Sequence, residues 1–172
     1  MLLHPYNPIW PDHFRQISEV LDAAAGGHFL TIHHIGSTAV PGLAAKPIID
    51  IDVEYPENAP LEPVIEALAQ IGYYHNGDQG IPGREVFKRV PSGAHPILDN
   101  IQHHLYVCAA GNPELRRHLL FRDRLRANEE ARAAYEKIKL EIAELAGQKR
   151  KAYAEIKEER ARAFVEYVLE SV

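Results

Sequence analysis

The sequence of 172 residues contains a single cysteine, a single methionine and a single tryptophan. One cysteine cannot form an intrachain disulfide or a cysteine-based zinc site. Cys108 lies in the apolar run from Leu105 to Ala110, which favours a buried hydrophobic role over a nucleophilic one. No run approaches the roughly 18 apolar residues of a membrane span, and the start of the chain lacks the pattern of a signal peptide. We therefore expect a cytoplasmic protein without a membrane partner.

A strong positive charge is also absent. The net charge is −5, with 5 Lys and Arg against 12 Asp and Glu in residues 1–112, and 14 against 12 in residues 113–172. This balance argues against nonspecific nucleic-acid binding. Residues 1–112 are therefore acidic, which suits a metal site, and residues 113–172 are mildly basic, which suits an anionic substrate. No repeat, low-complexity segment or linker divides the chain, so we expect one domain, while its oligomeric state is not indicated.

Two aspartates share one face of a predicted strand from Pro47 to Val53. Ile49 and Ile51 alternate there with Asp50 and Asp52, so the two α-carbons that carry carboxylates lie about 6 to 7 Å apart. Carboxylates this close repel each other unless a cation, a proton or a basic side chain lies between them. Mg²⁺, or Mn²⁺ in its place, suits such a pair. The alternative is that both aspartates simply face water.

A second predicted strand, residues 29–35, ends abruptly at Gly36 and Ser37. Glycine allows the backbone to approach a ligand closely, and the hydroxyls of Ser37 and Thr38 and free N–H groups can hold phosphate oxygens. The turn and the strand with the two aspartates together predict an anion site beside a pair of metal ligands. A Walker A loop is absent, because Lys46 comes four residues after Gly42 and precedes a proline.

Residues 34–53, HIGSTAVPGLAAKPIIDIDV, closely resemble the signature of the GrpB family, also labelled UPF0157, in the nucleotidyltransferase-fold superfamily. The superfamily pattern is a hydrophobic residue, Gly, and Gly or Ser, followed by two acids that alternate with hydrophobic residues. Residues 35–37 and 50–53 match it. The resemblance extends over nearly the whole chain, through Ile-Pro-x-Arg, His-Leu-x-Val, Phe-Arg-Asp-x-Leu-Arg and a late Tyr-x-x-x-Lys.

The resemblance implies an α/β (α+β mixed) fold, with a nucleotidyltransferase-like mixed β-sheet flanked by helices and a C-terminal helical subdomain. We expect a single GrpB-like domain over residues 1–172, with an α/β core at 1–111 and the helical subdomain at 112–172. Family members also occur fused to dephospho-CoA kinase, which suggests an association with CoA metabolism.

The resemblance also implies a reaction, in which a nucleotidyl group passes from an NTP to an acceptor that the sequence does not identify. Asp50 and Asp52 would hold Mg²⁺, which would position an acceptor hydroxyl for in-line attack on the α-phosphorus. The remaining candidates would bind the substrate: Gly36, Ser37, Thr38, Lys46, Arg84, His104, Arg122 and Lys157.

Three of these residues have a structural alternative. Arg84 ends the segment GIPGR and either reaches a triphosphate or forms a salt bridge to Glu85 or a neighbour. Arg122 lies on the same helical stripe as apolar residues and pairs with Asp123, another carboxylate or a substrate phosphate, of which a structural ion pair is favoured. The stem of Lys157 packs along a core if the residue does not bind phosphate.

The superfamily's third catalytic acid has no counterpart on the predicted strand from Ile101 to Ala110. Glu85 and Asp99 are the remaining candidates for it. Two-metal catalysis generally requires more than two shared carboxylates, so the chain is either an enzyme or a nucleotide- or metabolite-binding module without transfer activity. A partner-binding helical module is a third hypothesis.

The ten histidines suggest zinc, but adjacent histidines on a strand point to opposite faces and cannot chelate one metal. His34 with His104 is the pair that could converge, although a structural or substrate-contacting role is favoured for both. Hydrophobic periodicity and end signals predict the other elements. These are helices that begin near Pro11, at Leu61–Ile71, from Pro113, from Asn128 to Gly147 and at Arg150–Leu169, and strands at Gly72–His75 and Arg84–Val90.

Overall fold

The computed structural model describes residues 1–90 and 95–170, so the last two residues of the predicted helical segment 112–172 lie outside the described residues. The described chain forms seven α-helices, one short 3₁₀ helix and five β-strands. In chain order they are α1 (Trp10–Ala25), β1 (Thr31–Ile35), the 3₁₀ helix (Ser37–Ala39), β2 (Ile49–Tyr55), α2 (Glu62–Gln70), β3 (Tyr73–His75), β4 (Arg84–Arg89), α3 (Pro96–Asn100), β5 (His103–Ala109), α4 (Pro113–Ala127), α5 (Glu129–Leu145), α6 (Arg150–Arg160) and α7 (Arg162–Glu170).

The five strands form one mixed sheet in the order β1-β2-β5-β4-β3. Strands β2 and β5 are parallel, and the other neighbouring pairs are antiparallel. The register places Asp50 between Ile35 on β1 and His104 on β5, and it places Asp52 beside Tyr106. Because paired residues point to the same face of a sheet, these polar side chains share one face. The mixed α+β fold is confirmed.

The opposite face of the sheet forms the larger hydrophobic core. Ile49, Ile51 and Val53 alternate with the aspartates along β2, and they pack with residues of α1, α2 and α3. Trp10, a large aromatic residue, is buried in this core at the start of α1.

Helices α4 to α7 enclose a second hydrophobic core with Tyr135, Ile142 and Tyr153 at its centre. Val40 and Leu43, from the segment after the Gly36 turn, are buried in the same cluster. The helices therefore pack directly on the loop that joins β1 to β2. The division into a core at 1–111 and a helical subdomain stays a prediction.

The predicted helices and strands are present within one or two residues of their expected ends, with two differences. The segment Arg150–Leu169, predicted as one helix, forms two helices, α6 and α7. The chain bends at buried Ala161 because α6 packs on α5 while α7 packs on α4. Sequence analysis also missed α3, whose first turn begins with Pro96 after His95, which accepts a hydrogen bond from Leu98 N.

No helix in the described ranges is both long enough and apolar enough to cross a membrane. The predicted cytoplasmic location stays a prediction.

Candidate functional site

A cleft of about 610 Å³ lies between the polar face of the sheet and helices α4 to α7. Its volume is in the range of small-molecule binding sites. Nine of the ten predicted site residues line it, and the tenth, Asp52, is fully buried. The nine are Gly36, Ser37, Thr38, Lys46, Asp50, Arg84, His104, Arg122 and Lys157.

The Gly36 turn lies directly against the first aspartate. Gly36 has φ +71° and ψ −170°, a combination that is essentially restricted to glycine. A Cβ atom at this position would collide with Asp50 Oδ2, so only glycine lets the backbone approach the carboxylate so closely. The turn and the aspartate pair are therefore neighbours in space, as the combined pattern predicted.

Thr38 follows the turn, but its hydroxyl is used within the protein. Thr38 Oγ1 lies 3.0 Å from His34 Nε2 and donates to Ile48 O at 3.4 Å. His34 stacks on Phe14 with a centroid distance of 4.7 Å, and burial lowers the pKa of His34 to about 4. The Ser37 side chain is less buried and lines the cleft, so it is the hydroxyl better placed for a ligand.

The convergence considered for His34 and His104 does not occur. The register pairs His34 with Ile51 and His104 with Asp50, which lie on opposite faces of the sheet. The structure therefore offers no zinc site between these two histidines.

Each aspartate is held by a histidine. His118 Nδ1 donates to Asp52 Oδ2 at 2.6 Å, and His104 Nδ1 donates to Asp50 Oδ1 at 2.8 Å. Asp52 is fully buried, and its Oδ1 accepts no hydrogen bond from the described residues. A buried carboxylate oxygen without a partner costs free energy, which a cation beside it would offset.

The two carboxylates are the candidate ligands for a divalent cation. Asp52 Oδ1 has no partner and Asp50 Oδ2 lies against the Gly36 turn, so each aspartate has one oxygen that is not held by histidine. Within residues 1–90 and 95–170, no cluster of three or more His, Cys, Asp and Glu is arranged to hold a metal. An ion at the pair would therefore take most of its ligands from phosphate and water, as Mg²⁺ commonly does.

Neither candidate for a third acid lies in the cleft. Glu85 pairs with Val107 in the register, which places it on the other face, and its carboxylate contacts His75 Nε2 at 2.5 Å. Asp99 forms an ion pair with Arg89. A two-metal arrangement thus lacks a third carboxylate from either residue.

Three lysines line the cleft, namely Lys46, Lys139 and Lys157. Lys46 lies over the ring of Tyr153 at 5.3 Å, and its pKa is lowered by burial and then by nearby Lys157. The pKa of Lys157 is raised, chiefly by the phenol oxygen of Tyr135, so this residue stays charged. These two cations are suited to the charge of a polyphosphate.

A third lysine, Lys139, was not predicted. It is 2% exposed, and its Nζ donates to Ala44 O in the loop between β1 and β2. Burial lowers the pKa of Lys139 to about 7. Glu136 accepts a hydrogen bond from Ala44 N at 2.8 Å, and Arg126 donates to Ala39 O at 2.8 Å. Helices α4 and α5 thus hold the backbone of the loop that carries the turn.

The two arginines differ in their partners. Arg122 donates to both oxygens of Asp123, at 2.7 and 3.0 Å, and to His34 O at 3.0 Å, so the structural ion pair is present. Arg84 does not pair with Glu85, which contacts His75 instead. Its guanidinium lies over the ring of Tyr106, with the Cζ atom 4.8 Å from the centroid.

His118 is the main site residue that sequence reasoning missed. It is three residues after buried Leu115 and four before Arg122, so helical spacing places it on the same inward stripe. That spacing was a usable signal, although it does not identify Asp52 as the partner. Tyr135 and Tyr153 carried no comparable signal, because buried aromatics are mainly core residues.

Comparisons with known proteins identify the family of this chain. Residues 1–167 match the family described as GrpB protein. The UPF0157 protein YqkA of Bacillus subtilis (strain 168) is 37% identical over 138 residues, which cover 80% of this chain and 38% of YqkA. A dephospho-CoA kinase of Mycolicibacterium paratuberculosis is 30% identical over 174 residues, which cover 91% of this chain and 43% of that protein. The chain thus spans less than half the length of these two relatives.

A solved structure has the same fold. The crystal structure of the conserved protein GrpB from Enterococcus faecalis aligns with a TM-score of 0.80 and 29% identity, over 98% of this chain and 97% of that one. The match covers both the sheet and the helices that enclose the cleft. With the family match over residues 1–167, it establishes that the chain belongs to the GrpB family.

Proposed function

We propose that the protein transfers a nucleotidyl group from an NTP to an acceptor, with one divalent cation at Asp50 and Asp52. The observation that carries the proposal is the contact between the Gly36 turn and Asp50, beside a buried Asp52 oxygen that has no partner among the described residues. An anion at the turn and a cation at the aspartates would be in contact with each other. A phosphate chain with its bound Mg²⁺ has that pattern of charge.

The residues of the cleft have distinct tasks in this proposal. The backbone at Gly36 and the Ser37 hydroxyl bind the β- and γ-phosphates, and Lys46 and Lys157 neutralise them. His104 and His118 orient the two aspartates, as histidines and carboxylates orient each other around metal sites. When bound, the cation withdraws charge from the phosphate oxygens. Catalysis then depends on orientation and electrostatics.

The name of one relative, dephospho-CoA kinase, supports nucleotide-related chemistry in this family, although the name belongs to the whole of that longer protein. The missing third carboxylate supports a second candidate, a nucleotide- or metabolite-binding module of the same fold without transfer activity. The partner-binding helical module has less support, because α4 to α7 line the cleft.

Calorimetric titration separates these functions. We expect a nonhydrolysable NTP analogue to bind only with Mg²⁺, and Asp52→Asn to weaken that binding at least about tenfold, because it removes a charged metal ligand. Asp22→Asn on the exposed end of α1 is the matched control and should bind like the wild type. Absence of nucleotide binding in the wild type would overturn both nucleotide hypotheses.

Release of pyrophosphate from NTP in the presence of a metabolite extract then separates transfer from binding. Nucleotidyl transfer predicts release that needs both Mg²⁺ and the extract, and that Asp52→Asn abolishes. Tight binding without release under every condition would favour the binding module.

A further inference from the structure

Arg84 has an open hydrogen-bond donor in the cleft. Its Nε atom is buried and has no hydrogen-bond partner among the described residues. Two other arginines that line the cleft are paired, since Arg117 contacts Glu166 and Arg122 contacts Asp123. A buried guanidinium N–H without an acceptor costs free energy that a bound anion would recover.

The guanidinium of Arg84 is held in place on two sides. Its Cζ atom lies over the ring of Tyr106, whose pKa burial raises to about 12, so the ring stays neutral and attracts the cation. The loop before it is tied to α4, because Asn112 Nδ2 donates to Gly83 O at 3.0 Å. The same Asn112 caps α4 by accepting from Glu114 N at 2.8 Å. An anion would meet a donor that is already oriented.

Arg84 and the Gly36 turn lie on opposite sides of the aspartates. The turn follows β1, the aspartates are on β2, and Arg84 begins β4, which is three strands from β1 in the sheet. Three strand spacings amount to about 14 Å. Gly36 and Arg84 nevertheless line the same cleft.

We infer that Arg84 binds an oxyanion group of the acceptor, a phosphate or a carboxylate, and not the triphosphate of the donor. The inference rests on the proposed function, in which the triphosphate lies at the turn. In-line displacement requires the attacking oxygen to approach the α-phosphorus opposite the departing pyrophosphate. With the pyrophosphate at the Gly36 turn, the acceptor therefore approaches from the side of the cleft that Tyr106 and Arg84 line. An acceptor with a hydroxyl group and an anionic group would then be oriented by the arginine.

The proposed transfer forms one bond and breaks one bond at the α-phosphorus. The acceptor hydroxyl oxygen forms a bond to the α-phosphorus, and the bond from that phosphorus to the bridging oxygen of the β-phosphate breaks. Pyrophosphate leaves with the electron pair. The hydroxyl proton passes to solvent water.

The test uses the arginine side-chain Nε–H signals of the ¹⁵N-labelled protein. The Arg84 signal is assigned by its loss in Arg84→Gln. We expect inorganic phosphate or acetate to shift the Arg84 signal to saturation. The Nε–H signals of Arg122 and Arg126 should keep their positions, since these groups already donate within the protein.

Calorimetry on variants gives the second readout. Arg84→Gln should raise the dissociation constant of the effective anion about tenfold or more, as expected for loss of a charged hydrogen bond. Lys88→Gln, an exposed charge on the same strand, is the matched control and should not change it. The Mg²⁺–NTP analogue should bind Arg84→Gln within twofold of the wild type.

Three outcomes overturn the inference in distinguishable ways. If neither anion shifts the Arg84 signal, Arg84 is not an oxyanion site, whether or not nucleotide binds. If the NTP analogue itself shifts that signal and displaces the anion, Arg84 binds the donor and the proposed function stands. If the anion binds at Arg84 but no nucleotide binds the protein, the acceptor role fails together with the proposed function.

Discussion

At the scale of single residues, the proposed site depends on one close approach, that of Gly36 to Asp50. Sequence alone predicted this turn beside the aspartates, because a Gly-Ser turn that suits phosphate is followed by a strand whose two aspartates suit a metal. It could not predict His118, since the contact with Asp52 joins residues 66 apart. Hydrogen bonds of that separation depend on how helices dock, which hydrophobic periodicity does not specify.

Gly36→Ala tests the close approach. We expect the substitution to lower the free energy of unfolding by about 1 to 3 kcal/mol, because φ and ψ are in a region restricted to glycine. It should also abolish Mg²⁺–nucleotide binding, since the new methyl group displaces Asp50. Urea denaturation and calorimetry measure the two effects. Gly26→Ala is the control, because Gly26 also has positive φ but nothing lies near its Cβ position. Equal nucleotide affinity in both variants would contradict the assigned role of the turn.

Lys139 provides a prediction about pH. Its pKa is lowered to about 7 in the folded protein, so between pH 7 and its unfolded pKa of 10.5 the unfolded chain binds more protons. Stability should therefore rise with pH across this window, by up to about 1.4 kcal/mol per pH unit from this group. Below pH 7 the full penalty of the buried charge is present.

Lys139→Met isolates that contribution. The free energy of unfolding, measured from pH 7 to 9.5, should rise less steeply in the variant than in the wild type, since all other groups are shared. Parallel curves would show that Lys139 titrates normally in the folded protein. Lys137→Met, an exposed lysine on the same helix, is the control and should leave the slope unchanged.

At the scale of elements, the sheet and most helices could be predicted, because alternation along β2 and the stripes of α2 and α4 follow directly from residue order. The break at Ala161 could not. The apolar stripe continues from Tyr153 to Val168, and the bend arises because α6 and α7 pack on different helices. Arg124 donates to Val168 O and Arg117 pairs with Glu166, and these contacts hold α7 against α4. Residue order does not predict them.

Two helix caps test how an element positions the site. Asn112 and Asn128 cap α4 and α5, and replacing either with Ala should cost about 1 kcal/mol of stability by urea denaturation. Only Asn112 also holds Gly83, so only Asn112→Ala should weaken phosphate binding at Arg84. If Asn128→Ala weakens it equally, the effect comes from helix stability and not from the loop.

At the scale of the whole molecule, the cleft is bounded by both hydrophobic cores. Trp10 is the only tryptophan and lies in the sheet core, so its fluorescence reports that core. Most helical residues belong to α4 to α7, which enclose the other core, so far-ultraviolet circular dichroism reports mainly those helices. We expect coincident unfolding curves, because loop residues such as Val40 join the cores. Mg²⁺–NTP analogue at 100 times its dissociation constant should stabilise both by about 2.7 kcal/mol. Separate transitions would show that the cores unfold independently.

The most direct test of the central claim locates the cation relative to the turn. In the ¹⁵N-labelled protein with a nonhydrolysable NTP analogue, Mn²⁺ should broaden the backbone amide signals of Gly36, Ser37, Asp50 and Asp52. Signals from α2, on the opposite face of the sheet, should keep their intensity, and Asp52→Asn should abolish the broadening. Broadening confined to other surfaces, or none at saturating analogue, would contradict a shared site for the metal and the phosphate chain.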